Sequence, residues 1–288
     1  MATRREFVMG AAATTLPRLI VSGIGGPAAA AESPVGRDDN WDQGQLQHLI
    51  PTASHDRFLI KASFTQAQSA PPELQIGGTT VRGQSNTSAA DFWQFDVPGL
   101  TPATTYQLAL RGAGGKALCE PWSLATFPAP DAMPERLRVM IYTCGGGHDG
   151  LNQGLPDGKT SWLPSALRRK LLQRGLSFKP DALIANGDQI YWDLRAPLAS
   201  KLIGAMGAKI AGTFDRAQPV FGTSNEIVFR RATGAQIIPQ YGALLRSTPV
   251  FFMQDDHDYF DNDEATDDII TFPPDHFMLE LEIGRAHV

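Results

Sequence analysis

The fold is decided by residues 181–191, which read Asp-Ala-Leu-Ile-Ala-Asn-Gly-Asp-Gln-Ile-Tyr. A short apolar run bounded by turn residues predicts a buried strand, and the carboxylate of Asp188 follows it directly. Residues 249–263, Pro-Val-Phe-Phe-Met-Gln-Asp-Asp-His-Asp-Tyr-Phe-Asp-Asn-Asp, repeat this order, with His257 inside the acidic run. Ligands of open α/β sheets collect at the carboxyl ends of strands, so the pattern predicts a metal site at one sheet edge.

Strands alternate with helices throughout the second half of the chain. This alternation predicts an α/β fold with a parallel or mixed sheet. Three candidate ligands, Cys144, Asp188 and Asp256, are predicted at the carboxyl ends of its strands. The predicted elements are strand Leu137–Thr143, a helix near Leu163–Gln173, strand Asp181–Ala185, helices between Ala196 and Leu245, and strand Val250–Met253.

Residues 40–130 show a different pattern, in which turn residues separate short strands, and this predicts a small all-β sandwich. Residues 100–108, Leu-Thr-Pro-Ala-Thr-Thr-Tyr-Gln-Leu, resemble the tyrosine corner of fibronectin type III domains, in which the hydroxyl of Tyr106 would bond to the upstream backbone. Residues 32–52 are polar and are predicted to be loop, and residues 129–134 are a predicted linker. The predicted strands are Phe58–Phe64, Glu73–Ile76 and Asp91–Val97.

The composition is that of a globular protein: the 288 residues are 42% hydrophobic and carry a net charge of −5. An acidic chain lacks a broad basic surface, so no stable nucleic-acid complex is expected. Much of the acidity lies in residues 255–268, where a bound cation would neutralise it. The two cysteines, Cys119 and Cys144, exclude a disulfide framework, although a single bridge between them stays open.

Both ends of the chain are predicted to lie outside the fold. Residues 1–31 combine Arg4 and Arg5, an apolar region rich in Ala and Gly, and a stretch of small residues, which resembles a twin-arginine signal peptide. This predicts a periplasmic or extracellular protein that has the twin-arginine export machinery as a partner. Residues 282–288, Glu-Ile-Gly-Arg-Ala-His-Val, match a translated sequencing adapter and are predicted to be an artefact, so His287 is not a candidate ligand.

Three motifs in chain order carry a resemblance to a known family. They are Cys144, Gly187–Tyr191 and Asp255–Asp258, and each follows a predicted strand. Together they resemble the metallophosphoesterases of the alkaline phosphatase D type (PhoD-like), within the calcineurin-like superfamily. The resemblance implies a fibronectin-like sandwich over residues 40–130, followed by an α/β/β/α catalytic sandwich of which residues 135–281 would be the N-terminal part.

The chain departs from the family pattern near its C-terminus. The later His and Asp motifs of the family have no counterpart after His257, so the catalytic sandwich is expected to be incomplete. Half of a sandwich would expose the core face of its sheet, and the chain as written is therefore expected to be inactive and poorly soluble. A longer reading frame is expected to restore activity.

The resemblance also implies a centre of metal ions, iron with calcium. Asp188 would bridge two ions, because one carboxylate can give an oxygen atom to each. Cys144 would bind as a thiolate and Tyr191 as a tyrosinate, while Asp256 would bind the second ion. The residues themselves leave other roles open: Cys144 as a small buried apolar residue, Asp188 as a loop or cap aspartate, and Tyr191 as a packing residue.

The catalytic roles implied by the resemblance fall on the acidic run. His257 would contact the phosphoryl oxygen or protonate the leaving alkoxide, and Asp258 would orient its imidazole. Asp255 and Asn262 are further oxygen donors for a metal ion or for the groups around it. A solvated acidic loop is the alternative for the whole run.

The function expected from these residues is an exported phosphatase or phosphodiesterase that hydrolyses small-molecule or polymer phosphate esters by a metal-bound water. Side chains that hold such cations must be anionic or neutral donors, which the acidic run supplies. The alternative is a non-catalytic exported protein that binds calcium or a polymer. A nucleotide P-loop is excluded because residues 145–147 lack the following Lys-Ser/Thr, and an esterase is disfavoured because no Gly-x-Ser-x-Gly motif occurs.

Overall fold

The computed structural model describes residues 40–85, 91–143, 145, 147, 149, 163–191, 212–255 and 258. Eleven strands occur in these ranges: β1 Leu46–Ala53, β2 Arg57–Phe64, β3 Glu73–Ile76, β4 Thr79–Arg82, β5 Gln84–Ser85, β6 Phe92–Pro98, β7 Thr105–Arg111, β8 Trp122–Ala125, β9 Val139–Tyr142, β10 Ala182–Asn186 and β11 Val250–Met253. The two α-helices of the same ranges are α1 Ser165–Leu176 and α2 Ser224–Tyr241. Neither helix has the length and apolar character that crossing a membrane requires.

The N-terminal strands form two four-stranded antiparallel sheets around one hydrophobic core. The strand order is β1-β2-β6-β5 in the first sheet and β4-β3-β7-β8 in the second. Alternate residues of both sheets enter the same core cluster, as Phe58 and Phe95 do from the first sheet and Leu74 and Leu108 from the second. The three predicted strands of this region, Phe58–Phe64, Glu73–Ile76 and Asp91–Val97, correspond to β2, β3 and β6, and alternate residues of these strands are buried as the period of two predicts.

The prediction of loop over residues 32–52 is wrong for its last part, because Leu46–Ala53 is strand β1. This strand lies at the edge of its sheet and pairs antiparallel with β2. An edge position tolerates Pro51, which has no N–H to donate to a ladder. Polar residues that suggested a loop are buried in the sheet with hydrogen-bond partners. His48 is an example, because its Nδ1 atom is hydrogen-bonded to the hydroxyl of Ser63 at 3.0 Å.

The tyrosine corner predicted from residues 100–108 is present. The hydroxyl of Tyr106 accepts a hydrogen bond from the backbone N–H of Thr101 at 2.8 Å. The ring of Tyr106 packs edge-on against Phe58 with their centroids 5.9 Å apart. The corner thus joins the loop before β7 to the core of the two sheets. Assignment of the sandwich to the fibronectin type III class stays a prediction.

We expect the Tyr106→Phe substitution to lower the free energy of unfolding by about 1 kcal/mol, because it removes one hydrogen bond and keeps the aromatic packing. Urea unfolding followed by tryptophan fluorescence measures the change. Gln107→Met is the matched control, since it removes an exposed hydrogen bond to Ser123 from the same strand and should have a smaller effect. Equal losses in the two variants would contradict a special role for the corner.

His48 makes the sandwich sensitive to acid. Burial, helped by the charge of Lys61, lowers the pKa of His48 from 6.5 to about 3. The unfolded chain binds a proton at this position below about pH 6.5, whereas the folded chain stays neutral until about pH 3, so acid favours unfolding. We expect His48 alone to reduce the free energy of unfolding by about 1.4 kcal/mol per pH unit within this window.

The measurement is the urea unfolding energy at pH 7 and pH 5 for the unsubstituted chain and for His48→Gln. Glutamine keeps a hydrogen-bonding partner for Ser63 but does not titrate. The free energy of unfolding of the unsubstituted chain, relative to that of His48→Gln, should fall by about 2 kcal/mol as the pH falls from 7 to 5. A constant difference would show that folding does not lower the pKa of His48.

Cys119 lies in the sandwich core as a buried free thiol, so the Cys119–Cys144 bridge that the sequence left open is not formed. Burial raises the pKa of Cys119 to about 12. This thiol is therefore unreactive near neutral pH.

The second half of the chain contains the predicted parallel sheet. Its strand order is β11-β10-β9, and β10 pairs in parallel with both neighbours. Both helices pack on one face of this sheet, where Leu172 of α1 and Phe229 of α2 share a core cluster with Leu183 and Ala185 of β10. The α/β class is as predicted, while the second sheet of an α/β/β/α sandwich stays a prediction, since the described ranges contain this one parallel sheet.

The opposite face of the parallel sheet is apolar and largely open. Ile141 is 64% exposed, Met253 is 51% exposed and Val139 is 41% exposed. Residues of this type normally face a core, and an apolar sheet face of this kind is a surface for packing.

The sandwich and the parallel sheet contact each other within one compact unit. The hydroxyl of Thr52 in β1 donates to the carbonyl of Val250 in β11 at 2.9 Å. Near the same place, the ring centroids of Phe127 and Phe251 lie 6.1 Å apart. The residues after the predicted linker are thus anchored directly on the sandwich.

Candidate metal centre

The loops after the three parallel strands meet at one edge of the sheet. The register places Ala185 of β10 between Tyr142 of β9 and Phe252 of β11, so the three strands end almost level. Beyond this level, the backbone N–H of Gly145 donates to the carbonyl of Asp188 at 2.7 Å. The predicted convergence of strand ends therefore holds for the described residues of the loops.

Asp188 occupies the centre of this edge. Its side chain belongs to a residue that is only 7% exposed, and its backbone has a φ of 56°, a conformation that residues other than glycine rarely adopt. Such backbone conformations persist where the surroundings enforce them and are common at functional sites. The conformation that presents this carboxylate therefore lowers the stability of the loop.

Tyr191 shares the space beside Asp188. Its hydroxyl donates to the Oδ2 atom of Asp188 at 3.3 Å, and its backbone N–H donates to the Oε1 atom of Gln236 at 2.9 Å. A cation that binds oxygen at roughly 2.0–2.6 Å can contact two oxygen atoms at this separation. The pair of oxygen donors therefore fits the two metal ligands that the resemblance implies for these positions.

Asp258 fixes the backbone around Asp188. Its carboxylate is buried, and its Oδ1 atom accepts hydrogen bonds from the backbone N–H groups of Gln189 at 3.0 Å and Ile190 at 2.9 Å. Its Oδ2 atom accepts from the N–H of Asp255 at 3.2 Å. One carboxylate thus joins the loop after β10 to the loop after β11, a role that the resemblance did not imply.

Gly187 allows these two loops to approach. Its φ is 80°, and a Cβ atom added to it would lie 2.3 Å from the Cβ of Asp255. Such a distance does not occur between real side chains, so residue 187 must lack a Cβ for the loops to pack in this way. Asp255 itself is exposed beside this contact.

A buried network of hydrogen bonds around Gln189 supports the loop that contains Asp188. The Oε1 atom of Gln189 accepts hydrogen bonds from the hydroxyls of Tyr142 and Tyr241, and its Nε2 atom donates to the carbonyl of Gly187. Burial, together with the negative charge of Asp258, raises the pKa of Tyr241 well above its ordinary value. Tyr241 therefore stays protonated and acts as a hydrogen-bond donor.

The loop after β9 is held by α1. The carboxylate of Asp149 accepts from the backbone N–H of Ser165 at 2.7 Å and from its hydroxyl at 2.5 Å, so it caps the first turn of the helix. Arg168 donates to the carbonyl of Gly147 at 2.8 Å. Gly147 and Asp149 are thus both tied to α1.

The structure places four of the predicted site residues at this edge: Asp188, Tyr191, Asp255 and Asp258. Asp188 and Tyr191 are in direct contact, and Asp258 is joined to the backbone next to both. No group of three or more His, Cys, Asp or Glu side chains suited to a metal occurs among the described residues. The other predicted site residues lie outside them, as do the proposed leader and tail: Cys144, Asp256, His257, Asn262, residues 1–31 and residues 282–288.

The sequence did not identify the residues that hold the site in place. Gln236 and Gln240 of α2 are spaced by four residues on one buried helix face, and each accepts a hydrogen bond from another segment around the site. Arg168 is buried although it carries a charge. Polar residues at buried positions of a helical pattern were the available signal, because such groups are rarely buried without partners.

Comparison with known proteins gives a distant likeness. No family model and no curated protein matches the chain. A solved structure described as "Structure of PhoD" resembles it at 13% sequence identity and a TM-score of 0.46. The match covers 74% of this chain and 39% of that one, so the chain spans well under half the length of that structure. The function is therefore inferred from the residues of the site.

Proposed function

We propose that this chain is part of an exported, metal-dependent hydrolase of phosphate esters. The observation that carries the proposal is the pair formed by Asp188 and Tyr191, whose oxygen atoms lie 3.3 Å apart at the carboxyl edge of a parallel sheet. The strained backbone of Asp188 adds support, since the loop holds this carboxylate in a conformation that needs enforcement. Export rests on the resemblance of residues 1–31 to a twin-arginine signal peptide.

In this proposal the side chains at the edge hold cations and position the ester. Asp188 and Tyr191 supply two of the oxygen donors, and Cys144 and Asp256 add the remaining ligands that the family resemblance implies. When bound, iron with calcium would supply positive charge for the phosphate oxygens and lower the pKa of a water molecule. His257 would give a proton to the leaving group. Asp258 keeps the backbone of the Asp188 loop fixed.

The test compares the two ends of one strand. Asp188→Asn removes the charge of a candidate metal ligand at the carboxyl end of β10. Asp181→Asn is the matched control at the amino end of the strand, where the Asp181 carboxylate accepts a hydrogen bond from the N–H of Arg138 at 2.7 Å. Each variant is made in this chain and in a version extended along the genomic reading frame. Bound metal is measured by elemental analysis, and hydrolysis is measured with chromogenic phosphate monoesters and diesters.

We expect Asp188→Asn to lose bound metal and to reduce hydrolysis by the extended chain by more than about 100-fold, since even residues that merely support ligands contribute 10- to 100-fold. Asp181→Asn should keep both. Full activity of Asp188→Asn would overturn the proposal. A colourless, iron-free protein that binds only calcium would instead favour the non-catalytic binder, because iron held by a thiolate and a tyrosinate absorbs visible light.

A further inference from the structure

Arg168 in α1 is buried, with 8% of its surface exposed, although it carries a charge. Its guanidinium connects three segments: Nε donates to the carbonyl of Leu163 at 2.8 Å, Nη1 to the Oε1 atom of Gln240 at 2.9 Å, and Nη2 to the carbonyl of Gly147 at 2.8 Å. Burial lowers the pKa of Arg168, and the negative charge of the nearby Asp149 carboxylate partly offsets this by raising it. Burying a charge is costly, so these contacts must offset the loss of hydration.

Asp149 supplies a second attachment between the same loop and the same helix. One of its oxygen atoms lies 3.5 Å from Nη2 of Arg168, and its carboxylate caps the first turn of α1 through Ser165. The loop that follows β9 is thus fixed to α1 both by a backbone carbonyl and by a side chain. Neither attachment involves the candidate metal ligands directly.

The other end of this loop reaches the candidate metal centre. The N–H of Gly145 donates to the carbonyl of Asp188 at 2.7 Å. The contact is close, since a Cβ atom added to Gly145 would lie 3.1 Å from that carbonyl oxygen and 3.0 Å from the Oε1 atom of Gln189. Gly145 therefore lies directly against the strained backbone of Asp188, two residues before the Gly147 carbonyl that Arg168 binds.

We propose that Arg168 is a positioning residue for the metal centre: it holds Gly147 and Asp149 in place, so that Gly145 fixes the backbone of Asp188. This inference rests on the proposed function and names a residue on which the geometry of that site depends. In this proposal Arg168 acts through the loop and is not itself a metal ligand. Its fork of donors satisfies acceptors on three segments at once, which a single ammonium group cannot do.

Arg169 offers a matched control on the next position of the helix. Its Nη1 atom donates to the carbonyls of Gln240 at 3.2 Å and Tyr241 at 2.8 Å, and burial lowers its pKa as well. It therefore ties α1 to the end of α2, and among the described residues it makes no hydrogen bond to Gly145, Gly147 or Asp149. Arg169→Met should destabilise the helix pair while leaving the loop in place.

The experiment measures Co²⁺ affinity and amide hydrogen exchange of Gly145 in the full chain carrying Arg168→Met, Arg168→Lys or Arg169→Met. We expect Arg168→Met to weaken Co²⁺ binding by about 10- to 100-fold, the range typical of residues that orient ligands, and to speed exchange at Gly145 at least tenfold. Arg168→Lys should recover part of the affinity. Arg169→Met should lower the melting temperature and change Co²⁺ affinity by less than about twofold.

Equal Co²⁺ affinities in Arg168→Met and Arg169→Met would overturn the inference and assign Arg168 a purely structural role. Failure of the proposed function gives a different result, because the unsubstituted chain would then bind no Co²⁺ at Asp188, as shown by an unchanged titration in Asp188→Asn. In that case the rate of amide hydrogen exchange at Gly145 is the one measurement that tests whether Arg168 holds the loop. Unchanged exchange in Arg168→Met rejects the positioning role, and faster exchange supports it.

Discussion

Replacing Asp258 by Ala is expected to lower the free energy of unfolding by about 3–4 kcal/mol. The carboxylate accepts three backbone N–H groups, and those of Gln189 and Ile190 are buried with it. Alanine offers no acceptor, and each buried N–H left without a partner costs about 1–3 kcal/mol. Asp258→Asn should lose less, because the amide oxygen can keep the two bonds to Gln189 and Ile190 while the amide nitrogen faces the N–H of Asp255.

Asp255→Ala is the control for this prediction, because it removes an exposed carboxylate from the same acidic run. A surface substitution of this kind changes stability by about 0.5 kcal/mol or less. Chemical unfolding of the three variants gives the comparison. Similar losses for Asp255→Ala and Asp258→Ala would show that the run contributes only through its total charge. A loss confined to Asp258 would establish that its carboxylate fastens two loops together.

The sequence predicts the framework of this fold well because the framework depends on local periodicity. The sequences at Ala182–Asn186 and Val250–Met253 are short apolar runs between turn residues, which predict strands, and both are strands in the structure. The tyrosine corner is equally local, since its donor and acceptor are five residues apart. Strand β1 escaped prediction because Pro51 and the polar residues around it resemble a loop until an edge position and a partner strand are known.

The support of the candidate site was not predictable in the same way. Asp188 and Tyr191 are three residues apart and stand out in the sequence, whereas Gln189 depends on Tyr241, which is 52 positions away. Arg168 likewise finds its acceptor on Gln240, 72 positions along the chain. Such pairs form only after α1 and α2 pack on the sheet, so no local pattern encodes them. The motifs therefore indicated candidate ligands, and the fold shows which residues support two of them, Asp188 and Tyr191.

Replacing Gly187 by Ala is expected to lower the free energy of unfolding by about 3–4 kcal/mol and to displace the loops that carry the candidate site. Two effects add. An alanine at the φ of 80° found here costs about 1–2 kcal/mol. The new methyl group would also lie 2.3 Å from the Cβ of Asp255, and relieving this overlap requires backbone movement that costs about 1–3 kcal/mol.

Gly78→Ala separates these two effects. Gly78 has a nearly identical φ of 82°, but a Cβ atom added there meets nothing within 4 Å, so only the backbone cost of about 1–2 kcal/mol applies. The excess loss in Gly187→Ala then measures the overlap with Asp255. The overlap is with the Cβ of Asp255, so a substitution at residue 255 relieves it only if that Cβ is removed. Adding Asp255→Gly to Gly187→Ala is therefore expected to recover part of the lost stability. Equal losses for the two glycine variants, with no recovery by Asp255→Gly, would show that the loops after β10 and β11 are not in the close contact on which the candidate metal centre depends.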